Sequence, residues 1–225
     1  MAERKSPTSP DIKFFARLRF PVLDEPKSFK PDQPKRWESV FILDPTDAKQ
    51  AAGIKSLLET AAALSKEHYG KVPLAIKKLA VKFIPGTPKL DLNDPKNEPD
   101  DIRVFCMADG DHEKYKNYAG YKGNFIVSAH NSKLRPDVVN RSGAKVKKGE
   151  PQFPYDGCNV RGSINLWLLM GKTAQETGRL LGSNLRGVQF VSDNVAFTQD
   201  AIDDEFDALE DEAPAAGAAE TSAFD

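Results

Sequence analysis

The segment HEKYKNYAGYKGNF, residues 112–125, alternates lysines with tyrosines. Ammonium groups can follow a line of phosphates, and aromatic rings offer faces on which any base can stack. This combination predicts contact with a single-stranded nucleic acid, in which base faces are accessible. Alternatively, any one of the rings anchors the segment to the rest of the protein. The predicted contact residues are Lys114, Tyr115, Lys116, Tyr118, Tyr121 and Lys122.

Two strand-like stretches supply further cations beside aromatic rings. In DIKFFARLRF, residues 11–20, apolar side chains recur at every second position from Ile12 to Phe20, which predicts that these face a core. The intervening residues then face outward. The second stretch is residues 158–170, and each of the two tryptophans could instead lie in the core. The further predicted contacts are Phe15, Arg17, Arg19, Trp37, Arg161 and Trp167.

Catalytic and metal-binding patterns are weak in this sequence. Asp109, Asp111 and Glu113 could bind Mg²⁺, but a strand followed by an Asp-Gly turn explains the same residues better. The triplet GKT at 171–173 lacks the first glycine of a phosphate-binding loop, because Leu166 stands there. None of the three histidines is separated from a cysteine by the spacing typical of metal ligands. We therefore expect neither an enzyme, nor a metal site, nor a cofactor.

The charges of the chain are strongly segregated. Residues 200–225 contain ten acidic residues and neither lysine nor arginine, so residues 1–199 carry 32 basic residues against 23 acidic ones. A cationic body of net charge +9 favours polyanionic ligands, and a flexible acidic tail can compete for the same surface or recruit partner proteins. A purely solubilising tail is the alternative. The predicted partner-binding residues of the tail are Asp203, Asp204, Phe206, Asp207 and Phe224.

The elements that position these residues are mostly short strands. Residues 36–43, 102–108, 124–131, 136–140, 158–170, 187–192 and 194–197 have strand character, and residues 45–69 have the apolar spacing of a helix that begins after Asp44. Residues 74–86 fit a helix or a strand. We predict a mainly β protein with an inserted α-helix, an OB-fold five-stranded barrel with extensions.

The predicted organisation has three parts, which are a flexible arm at residues 1–10, an OB-fold domain at 11–198 and a disordered acidic tail at 199–225. No stretch is apolar for long enough to span a membrane, and the first residues lack the apolar run of a secretory signal. Cys106 and Cys158 lie in apolar runs, which predicts buried, reduced thiols and a cytoplasmic protein.

Four stretches carry a resemblance to a known family. They are RWESVFILDPTDAK (36–49), MADGDHEKYKNYAGYKGNFIVSA (107–129), GCNVRGSINLWL (157–168) and NLRGVQFVSDNVAF (184–197). In their order and spacing, the chain resembles the bacteriophage single-stranded DNA-binding proteins over residues 10–198. The resemblance implies an OB-fold, cooperative binding of single strands without sequence preference, and a role in phage DNA replication or recombination inside an infected bacterium.

The acidic tail is similar to tails by which single-strand binders recruit replication enzymes, but Asp225 follows Phe224 where such tails commonly end on the aromatic residue. A different class of function stays open from the sequence. A basic body with an acidic tail would also suit a phage structural or assembly adaptor that binds no nucleic acid.

Overall fold

The computed structural model of the protein describes residues 6–91, 94, 97, 102–169, 178–195 and 197. The predicted disordered tail and its candidate residues Asp203, Asp204, Phe206, Asp207 and Phe224 lie outside the described residues. The strands are β1 (Ile12–Lys27), β2 (Arg36–Leu43), β3 (Arg103–Val104), β4 (Met107–Asp109), β5 (Phe125–Asn131), β6 (Asp137–Val139), β7 (Asn159–Leu169) and β8 (Leu180–Ser192). The helices are α1 (Ala48–Tyr69) and α2 (Leu74–Phe83), with a 3₁₀ turn at Glu113–Tyr115.

Five of these strands close into a barrel. Strand β1 pairs antiparallel with β2 and β7, β2 pairs antiparallel with β5, and β7 pairs antiparallel with β8. The circle closes where β5 meets β8 in parallel, with His130 opposite Asn184. Around the barrel, its strands therefore follow the chain order first, second, third, fifth, fourth. This is a five-stranded OB-fold barrel, as the sequence predicted.

Alternate side chains of the barrel strands fill a single large core. The rings of Phe14 and Phe41 meet edge to face with centroids 5.2 Å apart. Helix α1 lies against β1 at Gly53, where a Cβ atom would be 2.7 Å from Cβ of Phe14. The glycine thus permits a close approach of helix and sheet, at some cost in helix propensity. The ambiguous stretch at 74–86 is α2, which packs beside α1 and buries Ile76, Leu79 and Phe83.

Strand β1 is longer and less regular than the sequence predicted. It continues to Lys27, beyond the predicted stretch 11–20, with irregular pairing between Arg19 and Val22. Phe20 has a φ of +50°, and this bulge shifts the alternation of the strand by one residue. Phe20, predicted to face the core, is 42% exposed, whereas Arg19, predicted to face outward, is 7% exposed. The outward placement of Arg19 was therefore wrong.

Other boundaries also differ from the predictions. Helix α1 is capped by Asp47 rather than Asp44, because the Asp47 carboxylate accepts hydrogen bonds from the N–H groups of Lys49 and Gln50. The strand predicted at 187–192 begins at Leu180, seven residues earlier, whereas Asn194, Val195 and Phe197 of the strand predicted at 194–197 do not lie in a strand.

Part of the predicted flexible arm pairs with the barrel. Pro7 O accepts from Leu168 N at 3.0 Å, and Ser9 N donates to Leu166 O at 2.8 Å. Residues 7–9 therefore pair with the part of β7 that extends past the start of β1. Both cysteines are free and buried, as predicted, and burial raises the pKa of the Cys106 thiol to about 12 and that of Cys158 to about 11. Among the described residues, no helix has the length and apolar character needed to cross a membrane.

Candidate nucleic-acid interface

A groove of about 490 Å³ crosses the outer face of the barrel where β2, β5, β8 and β7 lie side by side. Successive side chains of a strand point to opposite faces, so the residues that alternate with the core positions line this surface. We call it the barrel groove. Its lining side chains include Arg36, Glu38, Val40, Phe105, Ser128, His130, Trp167 and Leu180, with Gly182 in the floor.

Trp167 forms one wall of the barrel groove. It is paired across the strands with Gly182, and a Cβ atom at position 182 would lie 2.4 Å from Cζ2 of the indole. The ring therefore lies directly on the glycine. The indole Nε1 is buried, and among the described residues nothing accepts a hydrogen bond from it. The wall thus offers an aromatic surface, while its Nε1 donor lies buried beneath the ring's exposed face.

Phe105 projects from the short connection between β3 and β4. Its side chain is 60% exposed, so most of the ring is open to solvent. Its backbone N–H donates to Leu181 O on β8 at 3.1 Å, so the ring is displayed from a fixed backbone. The guanidinium carbon of Arg103 lies 5.5 Å from the ring centroid. A ring presented in this way can stack on a flat ligand.

The ionisable side chains of the barrel groove lie at its β2 side. Arg36 pairs with Glu38 at 2.7 Å, and its guanidinium carbon is 5.1 Å from the ring centroid of the exposed Phe29. His130 lies opposite Glu38 in the β2–β5 pairing. Burial lowers the pKa of His130 below its ordinary value, with Arg36 contributing in the same direction and Glu38 opposing. The free protein therefore holds this imidazole neutral near pH 7.

The predicted tyrosines gather at one end of the same barrel face. We call Tyr115, Tyr118 and Tyr121 the tyrosine cluster. Tyr118 and Tyr121 stack with centroids 5.2 Å apart, and Tyr115 lies 5.3 Å from Tyr121. The cluster packs on Ile42 and Ile126, and Val40 touches both this packing and the barrel groove. The cluster and the groove are thus neighbours on one surface.

The members of the tyrosine cluster differ in accessibility. Tyr118 is 44% exposed, and Phe20 meets it edge to face at 6.0 Å. Tyr121 is 3% exposed, and its burial raises the pKa of the phenol. Its predicted role as a stacking surface was wrong, because it anchors the loop instead. The lysines of this segment are exposed as predicted, and they are Lys114, Lys116 and Lys122.

Arg17 and Arg19 are engaged within the protein. Arg19 donates to the carboxylate of Asp156, which also accepts from the backbone N–H of Phe20 at 2.8 Å and so holds the β1 bulge. Arg17 is half-buried and donates to the carbonyl oxygens of Gly157 and Val195. Burial, partly offset by Asp156, lowers the pKa of the Arg17 guanidinium. Neither arginine is a freely solvated phosphate contact.

Phe15 and Arg161 lie opposite each other across β1 and β7, outside the barrel groove. The guanidinium carbon of Arg161 is 5.9 Å and the ammonium of Lys49 is 5.7 Å from the Phe15 ring centroid. Trp37 packs against the core and donates from Nε1 to Asp24 O at 3.2 Å. Its placement on the interface was therefore wrong, because positions 37, 39 and 41 of β2 face inward.

The acidic cluster of the sequence forms a lysine-bridged turn. The ammonium of Lys82 on α2 lies 2.5 Å from Asp109 Oδ1 and 2.7 Å from Asp111 Oδ2. Asp111 also accepts from Gly123 N at 2.7 Å, and these hydrogen bonds, that from Lys82 first, lower the pKa of its carboxyl. Among the described residues, no three His, Cys, Asp or Glu side chains are grouped to hold a metal ion.

Sequence reasoning did not identify Arg36, Phe105 and His130 as interface residues. They are distant in the chain, and no short pattern connects them. Arg36 directly precedes the predicted contact Trp37 in the sequence, but the prediction named the tryptophan alone. The barrel brings these three side chains together with Trp167, which was predicted.

Comparison with known proteins assigns the chain to a family. The profile of the single-stranded DNA-binding protein of Enterobacter phage Enc34 and its relatives matches residues 12–216, which is most of the chain. The protein belongs to this family. The family resemblance inferred from the sequence is thereby confirmed, and since the family is one of binding proteins, the protein is not an enzyme.

Solved structures of the Enc34 family share the fold. The bacteriophage Enc34 single-stranded DNA-binding protein in complex with single-stranded DNA aligns with a TM-score of 0.58 at 21% identity, covering 84% of this chain and 89% of that one. Its C-terminally truncated form aligns with a TM-score of 0.56 at 20% identity, covering 83% and 88%. At such identities the likeness concerns the fold.

A sequence relative of the protein occurs in another phage. Putative protein p50 of Acyrthosiphon pisum secondary endosymbiont phage 1 is 36% identical over 107 residues. The alignment covers 47% of this chain and spans about half the length of that relative, 53%.

Proposed function

We propose that this protein binds single-stranded DNA without sequence preference, with the bases lying along the barrel groove. The observation that carries the proposal is the display of Phe105 and Trp167 beside Arg36 on one continuous barrel face. Membership in the Enc34 family agrees with this ligand. The second and third strands of OB-fold barrels are also the general location at which this fold receives oligonucleotides.

The chemistry of the barrel groove favours single strands over duplexes. Rings such as Phe105 and Trp167 need an accessible base face, which a duplex hides in its stack. Every base has such a face, so stacking carries little sequence information, and each stacked base contributes about 1–3 kcal/mol. Arg36 and the exposed lysines of the loop at 112–125 supply charge along the phosphates, which displaces counterions and makes the affinity depend on salt.

Binding gives particular roles to the polar groups of the groove. His130, whose imidazole is neutral in the free protein, lies beside Arg36 and meets the phosphates of the bound strand. Because these are contacts that any nucleotide can satisfy, they add affinity rather than sequence selection.

The acidic tail acts by charge in this proposal. Ten carboxylates within residues 200–225 imitate a polyanion and occupy the cationic surface when DNA is absent. Once DNA displaces them, the residues Asp203, Asp204, Phe206, Asp207 and Phe224 become accessible to replication or recombination proteins. We place this activity in the cytoplasm of the infected bacterium, during phage DNA replication or recombination.

The test is fluorescence anisotropy of the full-length protein with labelled oligo-dT and with a duplex of equal length, across a salt series. We expect tight, salt-sensitive binding to the single strand and much weaker binding to the duplex. Phe105→Ala should weaken oligo-dT binding by about tenfold, whereas Tyr155→Phe, outside the groove, should not. Equal affinity for both ligands, or no binding, contradicts the proposal and favours the assembly-adaptor alternative.

A further inference from the structure

The ring of Phe197 lies in a slot beside the tyrosine cluster. The guanidinium carbon of Arg17 is 3.8 Å from its centroid, and that of Arg19 is 5.0 Å away. Another side of the ring meets the backbone of Gly120, where a Cβ atom would be 2.2 Å from Cε1 of Phe197. The floor of this Phe197 slot is the apolar packing of Ile42, Tyr121 and Ile126.

The guanidinium of Arg17 is held in place by bonds that use its nitrogens. Nε donates to Gly157 O at 3.3 Å, and Nη2 donates to Val195 O. Hydrogen bonds from a guanidinium lie near its plane, so the π face stays available to the ring above it. Stacking on a planar cation is also a common way in which proteins hold an unpaired nucleobase.

Gly120 shapes the opposite wall of the Phe197 slot. Its φ of +81° disfavours any residue other than glycine. A Cβ atom here would also lie only 2.2 Å from Cε1 of Phe197. The absence of a side chain leaves space for one flat ring against the backbone. A phenyl ring and a pyrimidine are both flat six-membered rings, so the slot suits either of them.

The slot belongs to the same surface as the barrel groove. Phe197 and Val40 both pack on the apolar floor, and Val40 also lines the groove. The exposed ammonium of Lys122 follows Tyr121 directly in the chain and adds charge at this end. A single strand that leaves the groove beyond Val40 therefore meets an aromatic slot with a cationic wall.

We propose that the Phe197 slot is a nucleobase subsite, which Phe197 fills in the free protein and a pyrimidine base fills in the complex. This inference rests on the proposed function. Phe197 stands three residues before Asp200, where the acidic stretch begins. A base that replaces Phe197 therefore also releases the chain at the root of the tail, which couples DNA binding to exposure of the tail.

The test compares oligo-dT affinities of full-length variants at fixed salt. Phe197→Ala removes the internal competitor and should bind about fivefold more tightly than the wild type. Phe197→Leu keeps much of the buried volume but has no aromatic face for Arg17, so it should also bind more tightly than the wild type. Val195→Ala is the matched control, because its side chain is exposed and its backbone bond to Arg17 persists. In an Arg17→Ala background, both changes at position 197 should lose their effect.

The outcomes separate the two proposals. If the wild type does not bind oligo-dT, the proposed function itself fails. If the wild type binds but both Phe197 variants match Val195→Ala, the nucleobase subsite is contradicted while DNA binding stands. Should Phe197→Ala melt below the assay temperature, Phe197→Leu still decides, because it leaves a much smaller cavity, and an affinity equal to that of the wild type overturns the inference.

Discussion

The indole of Trp167 lies on Gly182, its partner across β7 and β8, with 2.4 Å between Cζ2 and the position that a Cβ atom would take. The contact fixes the height of the ring above the sheet and so sets the depth of the barrel groove. A residue with a side chain at 182 would lift the indole or distort the strand pair.

Gly182→Ala should therefore weaken oligo-dT binding by about tenfold through displacement of the indole. The measurement is a double-mutant cycle with Trp167→Ala, in which the second substitution should add little to the first. Circular dichroism checks that the barrel is retained. Additive losses in the cycle would show that Gly182 acts independently of Trp167.

Arg36 should contribute one phosphate contact. Arg36→Ala should weaken binding at low salt and reduce the slope of log affinity against log salt by about 0.7, the value for one phosphate on a single strand. Lys55→Ala is the control, because Lys55 is an exposed residue of α1 outside the groove. An unchanged slope for Arg36→Ala would remove this residue from the interface.

His130 should make folding stability depend on pH. Burial lowers its pKa in the folded protein, so the unfolded chain binds the proton more readily. Stability should therefore fall as the pH drops through about 6.5, the ordinary histidine value, towards the folded pKa. Urea unfolding at pH 7.5 and 5.5 should show a smaller loss for His130→Gln than for the wild type. An equal loss would contradict the assignment.

The acidic tail should compete with DNA electrostatically. A chain ending at residue 199 retains Phe197 but lacks all ten carboxylates, so it should bind oligo-dT more tightly at low salt. Salt screens exposed charges, and the difference from the full-length protein should shrink as salt is raised. Unchanged affinity at low salt would eliminate charge competition, without affecting the Phe197 slot.

The sequence predicted the barrel well because its strands alternate clearly and end at turn residues. It could not predict the bulge at Phe20, since the alternation of residue types continues through that position. The local conformation, held by Asp156, decides which side Arg19 and Phe20 face. The ambiguity of residues 74–86 has a similar origin, because only packing beside α1 selects the helix.

The interface was predicted in part. The basic, tyrosine-rich segment was recognised, yet its most buried ring, Tyr121, anchors the loop and is not an open stacking surface. The barrel groove combines Arg36, Phe105 and His130, and their proximity is a consequence of barrel closure. The acidic cluster also needed the fold, because Lys82 reaches Asp109 and Asp111 from a helix.

The most direct test of the central claim is photo-crosslinking of the full-length protein to an oligo-dT that contains 5-iodouracil, followed by mass-spectrometric mapping. If bases lie along the barrel groove, crosslinks should map to Phe105 and Trp167, and their yield should fall as salt rises. Crosslinks confined to α1 and α2, with neither groove residue modified, would contradict the account.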